Sequence, residues 1–245
     1  MKIESIQNKK IKERTKLHTK KERDKTGLFI VEGEHLIQEA IHANVLKELY
    51  ILDTIENPFD FPCFECTQSV INKLSNQVSN AKMIGVCQKQ TYKNDNYSKV
   101  LLLDDVQDPG NVGTIIRSAY SFGIDCIYLS NKCADLYNLK TIQSSQGALF
   151  HLPVFVCDIK EKIKQLQKKN IKVYATALHQ KAKMLQEIVP ENSFAIVLGN
   201  EGSGIKQEIV DSCDECIQIE MNQFESLNVA IAASICIYYF QYNKK

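Results

Sequence analysis

Residues 101–117 read Leu-Leu-Leu-Asp-Asp-Val-Gln-Asp-Pro-Gly-Asn-Val-Gly-Thr-Ile-Ile-Arg. An apolar run of strand length meets Pro109-Gly110. Directly behind it Val112, Ile115, Ile116, Ala119 and Phe122 recur at helical spacing. A strand that passes at once into a helix is the opening of a unit that builds a parallel sheet. In such sheets ligands bind beyond the carboxyl ends of the strands. The polar residues of this junction, Asn111 and Arg117, are therefore the first candidates for chemistry. Asn111 is expected at the helix N-cap. Gly113 and Arg117, four residues apart, share a face. Gly113 is expected to leave room for a ligand beside the first turn, and Arg117 to reach over it with a planar fork suited to phosphate. A plain capped helix with a surface arginine is the open alternative.

The alternation continues downstream. Strands are expected at 100–106, 126–129, 154–156, 173–177, 194–198 and 216–219, and helices at 112–122, 139–144, 159–169, 204–212 and 226–239. This is the pattern of an α/β, mostly parallel sheet covered on both faces. Upstream, strands are expected at 28–32, 46–52, 63–66 and 83–87, with helices at 34–43 and near 70–74. The polar, aperiodic residues between these parts read as a linker. The expected division is residues 1–90 as a small N-terminal α/β domain, 91–98 as linker and 99–245 as the second domain.

With 44% hydrophobic residues in 245, the chain has ample material for a packed core. The net charge of +1 hides an uneven distribution. Lys2, Lys9, Lys10, Lys12, Arg14, Lys16, Lys20, Lys21, Arg23 and Lys25 crowd the N-terminus against Glu4, Glu13, Glu22 and Asp24. A basic arm that contacts phosphates and a merely solvated charged helix explain this equally well. The first residues are charged rather than apolar, so no secretory signal is read there. The charge-free stretch 226–243 is interrupted by Asn228 and reads as a helix buried on most sides rather than a membrane span. The nine cysteines are odd in number and scattered through apolar segments, which fits reduced thiols and a cytoplasmic location. The pairs Cys63/Cys66 and Cys213/Cys216 have CxxC spacing but lack neighbouring ligands. They read as strand cysteines, with no metal expected.

Two further segments invite a ligand. In Ile196-Val-Leu-Gly-Asn-Glu-Gly-Ser-Gly-Ile205 a buried strand ends in a loop carrying Gly199, Gly202 and Gly204, whose backbone can approach a ligand closely. Its spacing is not that of a dinucleotide fingerprint, which argues against a nucleotide-dependent oxidoreductase. In Phe224-Glu-Ser-Leu-Asn-Val-Ala-Ile-Ala-Ala-Ser234, Ser226 is expected to cap the last helix, with Asn228 in its first turn.

Each signal has a bland reading by itself; their order along one chain is specific. Asn111-x-Gly113-x-x-x-Arg117, Leu198-Gly-Asn-Glu-Gly202 and Ser226-Leu-Asn-Val229 resemble the three motifs of the SpoU (TrmH) family of RNA ribose 2′-O-methyltransferases, in the SPOUT superfamily. Ser145-Gln-Gly-Ala-Leu-Phe-His-Leu-Pro153 resembles the segment between the first two motifs. Glu32-Gly-Glu-His-Leu-Ile-Gln-Glu-Ala40 is similar to the start of the family's RNA-binding N-terminal domain. The resemblance covers nearly the whole chain. One departure is the stretch Ile219-Glu-Met-Asn-Gln-Phe-Glu225, which lacks the Pro and Gly usual before Ser-Leu-Asn.

The resemblance implies a C-terminal sheet with a trefoil knot, S-adenosyl-methionine as cofactor, and a homodimer joined through the last helix. It places the cofactor against Leu198, Gly199, Asn200, Gly202, Ile219, Met221, Ser226 and Leu227. It assigns catalysis to Asn111, Arg117, Glu201, Ser226 and Asn228. A guanidinium stays protonated in proteins, so Arg117 is expected to orient the ribose and stabilise a developing alkoxide rather than act as a base. The implied substrate is structured RNA, ribosomal RNA being favoured and transfer RNA the alternative. A catalytically silent RNA-binding or ribosome-assembly protein is the competing reading. The full set of polar residues argues against it.

Overall fold

The structure, a computed structural model, describes residues 2–75, 81–92, 96–177, 182–223 and 226–243. Its N-terminal part runs β1 (Lys2–Ile3), α1 (Lys9–Thr15), α2 (Lys20–Thr26), β2 (Leu28–Glu32), α3 (Glu34–His42), β3 (Leu46–Leu52), β4 (Cys63–Cys66), α4 (Gln68–Leu74) and β5 (Met83–Gln88). These strands form one sheet in the order β1-β4-β3-β5-β2. β1, β4 and β3 are parallel, while β5 is antiparallel to both β3 and β2. The strands expected at 28–32, 46–52, 63–66 and 83–87 all form.

The N-terminal stretch is not a free arm. Ile3, Ile11 and Leu17 are buried with Tyr50, Val70, Ile71 and Leu74 in a core beneath the sheet. Several of its cations are also engaged internally. Arg14 donates to both oxygens of Glu48, each at 2.8 Å, and Lys10 pairs with Glu48 at 3.1 Å. Arg23, 7% exposed, donates to the carbonyls of Leu17 and His18 and pairs with Asp135 in the C-terminal part. The apolar residues at 3, 11 and 17 are what dock the segment. Lys9, Lys12, Lys16, Lys20, Lys21 and Lys25 remain exposed.

The C-terminal part runs β6 (Lys99–Leu103), α5 (Pro109–Ser121), β7 (Cys126–Leu129), α6 (Leu139–Ser145), β8 (Val154–Val156), α7 (Ile159–Lys168), β9 (Lys172–Thr176), β10 (Lys183–Met184), β11 (Phe194–Leu198), α8 (Gln207–Val210), β12 (Glu215–Gln218) and α9 (Val229–Tyr242). The seven strands lie in the order β10-β12-β9-β11-β6-β7-β8, every neighbouring pair parallel. The short edge strand β10 has no apolar periodicity and was not expected from sequence. Such a sheet needs cover on both faces. α7 lies over one, where Ile159, Ile163 and Leu166 join Val100, Leu102, Val173 and Val197. α5 and α9 lie over the other, with Ile115, Ile116, Ala233, Ile237 and Phe240 against Leu101, Leu103 and Ile196. That second core continues into the N-terminal part through Phe29, Val31 and Ile37.

The segment expected to be the linker, 91–98, is held at both described ends; its residues 93–95 lie outside the described residues. Tyr92 and Tyr97 pack on Phe155 at 5.9 and 6.0 Å between ring centroids. Asp125 accepts from the Ser98 and Lys99 amides.

Three local expectations are corrected. Asp108, not Asn111, caps α5, accepting from the Asn111 amide at 2.9 Å with Pro109 in the first turn. Asn228, not Ser226, caps α9, accepting from the amides of Ala230 and Ile231. Gly113 does not leave room for a ligand. A Cβ there would lie 2.4 Å from the Thr141 carbonyl oxygen and 2.6 Å from Ser144 Cβ, so its absence lets α5 and α6 touch backbone to backbone. Among the described residues no three His, Cys, Asp or Glu groups are gathered to hold a metal ion, and no helix is long and apolar enough to cross a membrane.

Candidate active site

β9, β11 and β12 are neighbours in the sheet, and beyond their carboxyl ends lies a cavity of about 440 Å³. Thr176, Leu198 and Ile217 form its floor, the loop 199–205 one wall, and Ile219, Met221, Ser226, Leu227 and Val229 the other. Every residue expected to hold the cofactor lines it: Leu198, Gly199, Asn200, Gly202, Ile219, Met221, Ser226 and Leu227. Phe224 and Glu225, between Met221 and Ser226, lie outside the described residues.

The loop is folded tightly on itself. Asn200 and Gly204 exchange backbone hydrogen bonds, each at 3.0 Å. A Cβ on Gly199 would lie 2.3 Å from the Gly204 carbonyl carbon, so only glycine permits this closure. Asn200 Oδ1 accepts from the amides of Gly202 and Ser203, and its Nδ2 donates to the Asp105 carbonyl at 2.9 Å. The far end of the loop is pinned by Lys206. Its amide and ammonium donate to the buried carboxylate of Asp104 at 3.0 and 2.9 Å, and the ammonium also pairs with Asp105 at 2.8 Å. The Asp105 carboxylate, with help from Asp104, raises the Lys206 ammonium above its ordinary value.

At the cavity mouth three predicted residues form a relay. Asn228 Nδ2 donates to Asn111 Oδ1 at 3.0 Å, and Asn111 Nδ2 donates to Glu201 Oε1 at 2.8 Å. The Gln107 and Asp108 amides donate to Glu201 as well, both at 3.3 Å. Burial alone would raise the Glu201 carboxyl. The Asn111 amide group and these backbone donors outweigh it and hold the group below its ordinary value. The relay ties the first turn of α5, the glycine loop and the start of α9 into one unit.

Arg117 is not part of that unit. It lies six residues beyond Asn111, about 9 Å along the helix axis. It is exposed and does not line the cavity, and among the described residues it has no hydrogen-bond or ion-pair partner. Ser226 lines the cavity but is exposed and makes no bond among the described residues. Sequence reasoning missed Asp104, Lys206 and Thr176. The position of Thr176 at a strand's carboxyl end, beside the strand that feeds the glycine loop, was the available signal.

None of the four CxxC cysteines lines this cavity. Burial pushes the Cys66 and Cys213 thiols up to about 12, so they stay protonated, inert side chains.

A parallel sheet with a cavity beyond its strand ends and a polar relay at the mouth has the layout of an α/β small-ligand site. The SpoU rRNA Methylase family matches residues 98–238, and an MRM3-like substrate binding domain matches residues 8–85. The chain is 39% identical to the 23S rRNA (guanosine(2553)-2′-O)-methyltransferase RlmP of Bacillus subtilis (strain 168), over 98% of each chain. An rRNA methyltransferase from Sinorhizobium meliloti shares the structure with a TM-score of 0.87 and 25% identity, covering 99% of this chain and 98% of that one. An AdoMet-bound rRNA methyltransferase structure from the same organism has the same fold, with a TM-score of 0.86 at 24% identity over 99% and 98% of the two chains. The chain belongs to the SpoU rRNA methylase family of RNA 2′-O-methyltransferases.

Proposed function

We propose that this protein transfers a methyl group from S-adenosyl-methionine to a ribose 2′-hydroxyl of ribosomal RNA. The observation that carries the reading is the cavity, bounded by the glycine loop and the start of α9, with the Asn228–Asn111–Glu201 relay at its mouth. Its volume falls within the range of about 300–1,000 Å³ typical of small-ligand sites. Leu198, Ile217, Ile219 and Val229 offer apolar surface to a flat base, while Asn200, Ser226 and Thr176 offer polar atoms. The residues present therefore fit S-adenosyl-methionine. When bound, it supplies a methyl group activated on a sulfonium.

The remaining work belongs to the chain. The relay fixes Asn111, Glu201 and Asn228, and holding the ribose in line with the methyl donor lowers the barrier to a displacement. Arg117 holds the substrate phosphate or steadies the charge that develops on the ribose oxygen. It performs this in the site of a second copy. α9 is apolar all round, yet Ile231, Ile235, Tyr238 and Tyr242 on one face are exposed in the single chain. α5 packs beside that face, with Ser234 donating to Ser118, the residue next to Arg117, at 2.8 Å. A homodimer built on this face covers the apolar stripe and carries each Arg117 towards its partner. The placement of β12 beside β9 rather than beside β11 supports the trefoil knot that the family resemblance implies.

We read residues 1–90 as the RNA-holding domain, 91–98 as a connection and 99–245 as the methyltransferase domain. The exposed Lys9, Lys12, Lys16, Lys20 and Lys21 suit an RNA backbone. The relative RlmP, named for a ribosomal substrate, favours ribosomal over transfer RNA and cytoplasmic action. Arg117→Ala tests the assignment. Labelled methyl transfer to ribosomal RNA is expected to fall at least a hundredfold, with S-adenosyl-methionine binding by calorimetry unchanged. Full activity in the variant removes the role given to Arg117.

A further inference from the structure

Tyr120 lies one helical turn beyond Arg117, on the outer side of α5, and is 47% exposed. An exposed aromatic ring is ordinary; a built one is not. One face of this ring is stacked on His151, with centroids 5.3 Å apart and planes tilted by 20°. His151 Nε2 is held at 2.9 Å by Glu39 of α3, in the N-terminal part of the molecule. Glu39 in turn lies flat on Gly147, where a Cβ would come within 2.6 Å of Glu39 Cγ. Close by, His35 Nε2 sits 3.2 Å from the Gln146 carbonyl oxygen. Tyr120 is therefore braced from behind across the junction of the two parts. Arg117, three residues earlier on α5 and therefore on a neighbouring part of the same helix surface, has no counter-anion among the described residues.

The geometry points to Tyr120 as a stacking platform for an unpaired nucleobase of the RNA, the nucleotide adjoining the ribose that is methylated. Sequence-selective proteins grip RNA by stacking splayed-out bases on aromatic faces. Every base has a face to offer, so such a platform holds the strand whatever the base. A braced aromatic on the same helix surface as a cation with no counter-anion among the described residues matches a nucleotide, a flat ring joined to an anionic phosphate. An apolar protein segment would leave the guanidinium unpaired. Tyr120 acts here as a positioning residue for the substrate. The inference rests on the reading that this chain acts on RNA.

The chain contains no tryptophan, so Tyr120→Trp installs a single reporter whose emission stacked bases quench. Ribosomal RNA purified from cells lacking this protein is the probe, and Val189→Trp is the control. Val189 is 62% exposed and follows β10, at the opposite edge of the sheet from β8. RNA is expected to quench the Tyr120→Trp emission and shield it from acrylamide, leaving Val189→Trp unchanged. In methyl transfer, Tyr120→Ala is expected to raise KM for RNA about five- to a hundredfold. Its kcat and S-adenosyl-methionine affinity are expected to stay near those of the unaltered protein, and Tyr120→Phe to restore KM. Emission that ignores RNA shown by gel shift to be bound overturns the platform. So does an unchanged KM in Tyr120→Ala combined with loss of a dimer, which assigns the ring to a contact between copies. Quenching by RNA in a protein that transfers no methyl group keeps the platform and defeats the catalytic reading instead.

Discussion

Glu48 shows how single residues turn a basic segment into structure. Burial would raise its carboxyl, but hydrogen bonds from Arg14, Tyr50 and Lys10 bring it down to about 2. The folded carboxylate thus gives up its proton more readily than the unfolded one. Its contribution to stability is complete above the ordinary value of 4.5, shrinks as pH falls and is gone below about 2. Glu48→Gln is expected to cost about 1.5–3 kcal/mol at neutral pH and to flatten the loss of stability between those two values, as urea unfolding at a series of pH values would register. An unchanged profile would mean the cluster contributes nothing. At the same scale, the identity of the site residues was legible while their local duties were not. Asp108 and Asn111 are both good caps, and Pro109, which favours the first helical position, was the signal that selects Asp108. Ser226 and Asn228 are equally good caps. Only the tertiary bond from Asn228 to Asn111 decides between them, and no local pattern contains it.

Among the helices, α5 and α6 approach backbone to backbone, and the space for that closeness is Gly113. Gly113→Ala forces a methyl group into the Thr141 carbonyl. The variant is expected to lose about 1–3 kcal/mol of stability and most of its methyl transfer, because α5 carries both Asn111 and Arg117. Thermal unfolding alongside the transfer assay would check both; a variant as stable as the parent would show that the helices have slack. Most of the strands and helices were readable because they bury apolar residues in a regular pattern, as Val112, Ile115, Ile116 and Ala119 do on α5, whereas β1, α1 and α2, set among charged residues, were not expected. The short edge strand β10 escaped because two exposed residues carry no period. The placement of Arg117 was half legible: six residues at 100° each put it about 240° around the helix from Asn111, off the side that faces the relay.

For the molecule as a whole, the uncovered stripe on α9 is the largest statement the single chain makes about assembly. Ile231, Ile235, Tyr238 and Tyr242 face outward together, and a soluble chain seldom leaves such a stripe bare. Ile235→Asp is expected to sediment at the mass of one chain while the parent sediments at two, with methyl transfer lost along with the dimer. A monomeric parent that is fully active would refute the shared site. The helix pattern by itself leaves open what covers α9, since an all-apolar helix looks the same whether it is buried by its own chain or by another. The docking of the N-terminal segment was likewise hidden, because Ile3, Ile11 and Leu17 are too sparse among the charges to show a period.

The most direct test is a map of ribose 2′-O-methylation over ribosomal and transfer RNA from cells with the gene, without it, and with only the Arg117→Ala form. A single ribosomal nucleotide methylated in the first and bare in the other two is the predicted outcome. Identical maps in all three, or a difference confined to transfer RNA, would contradict it.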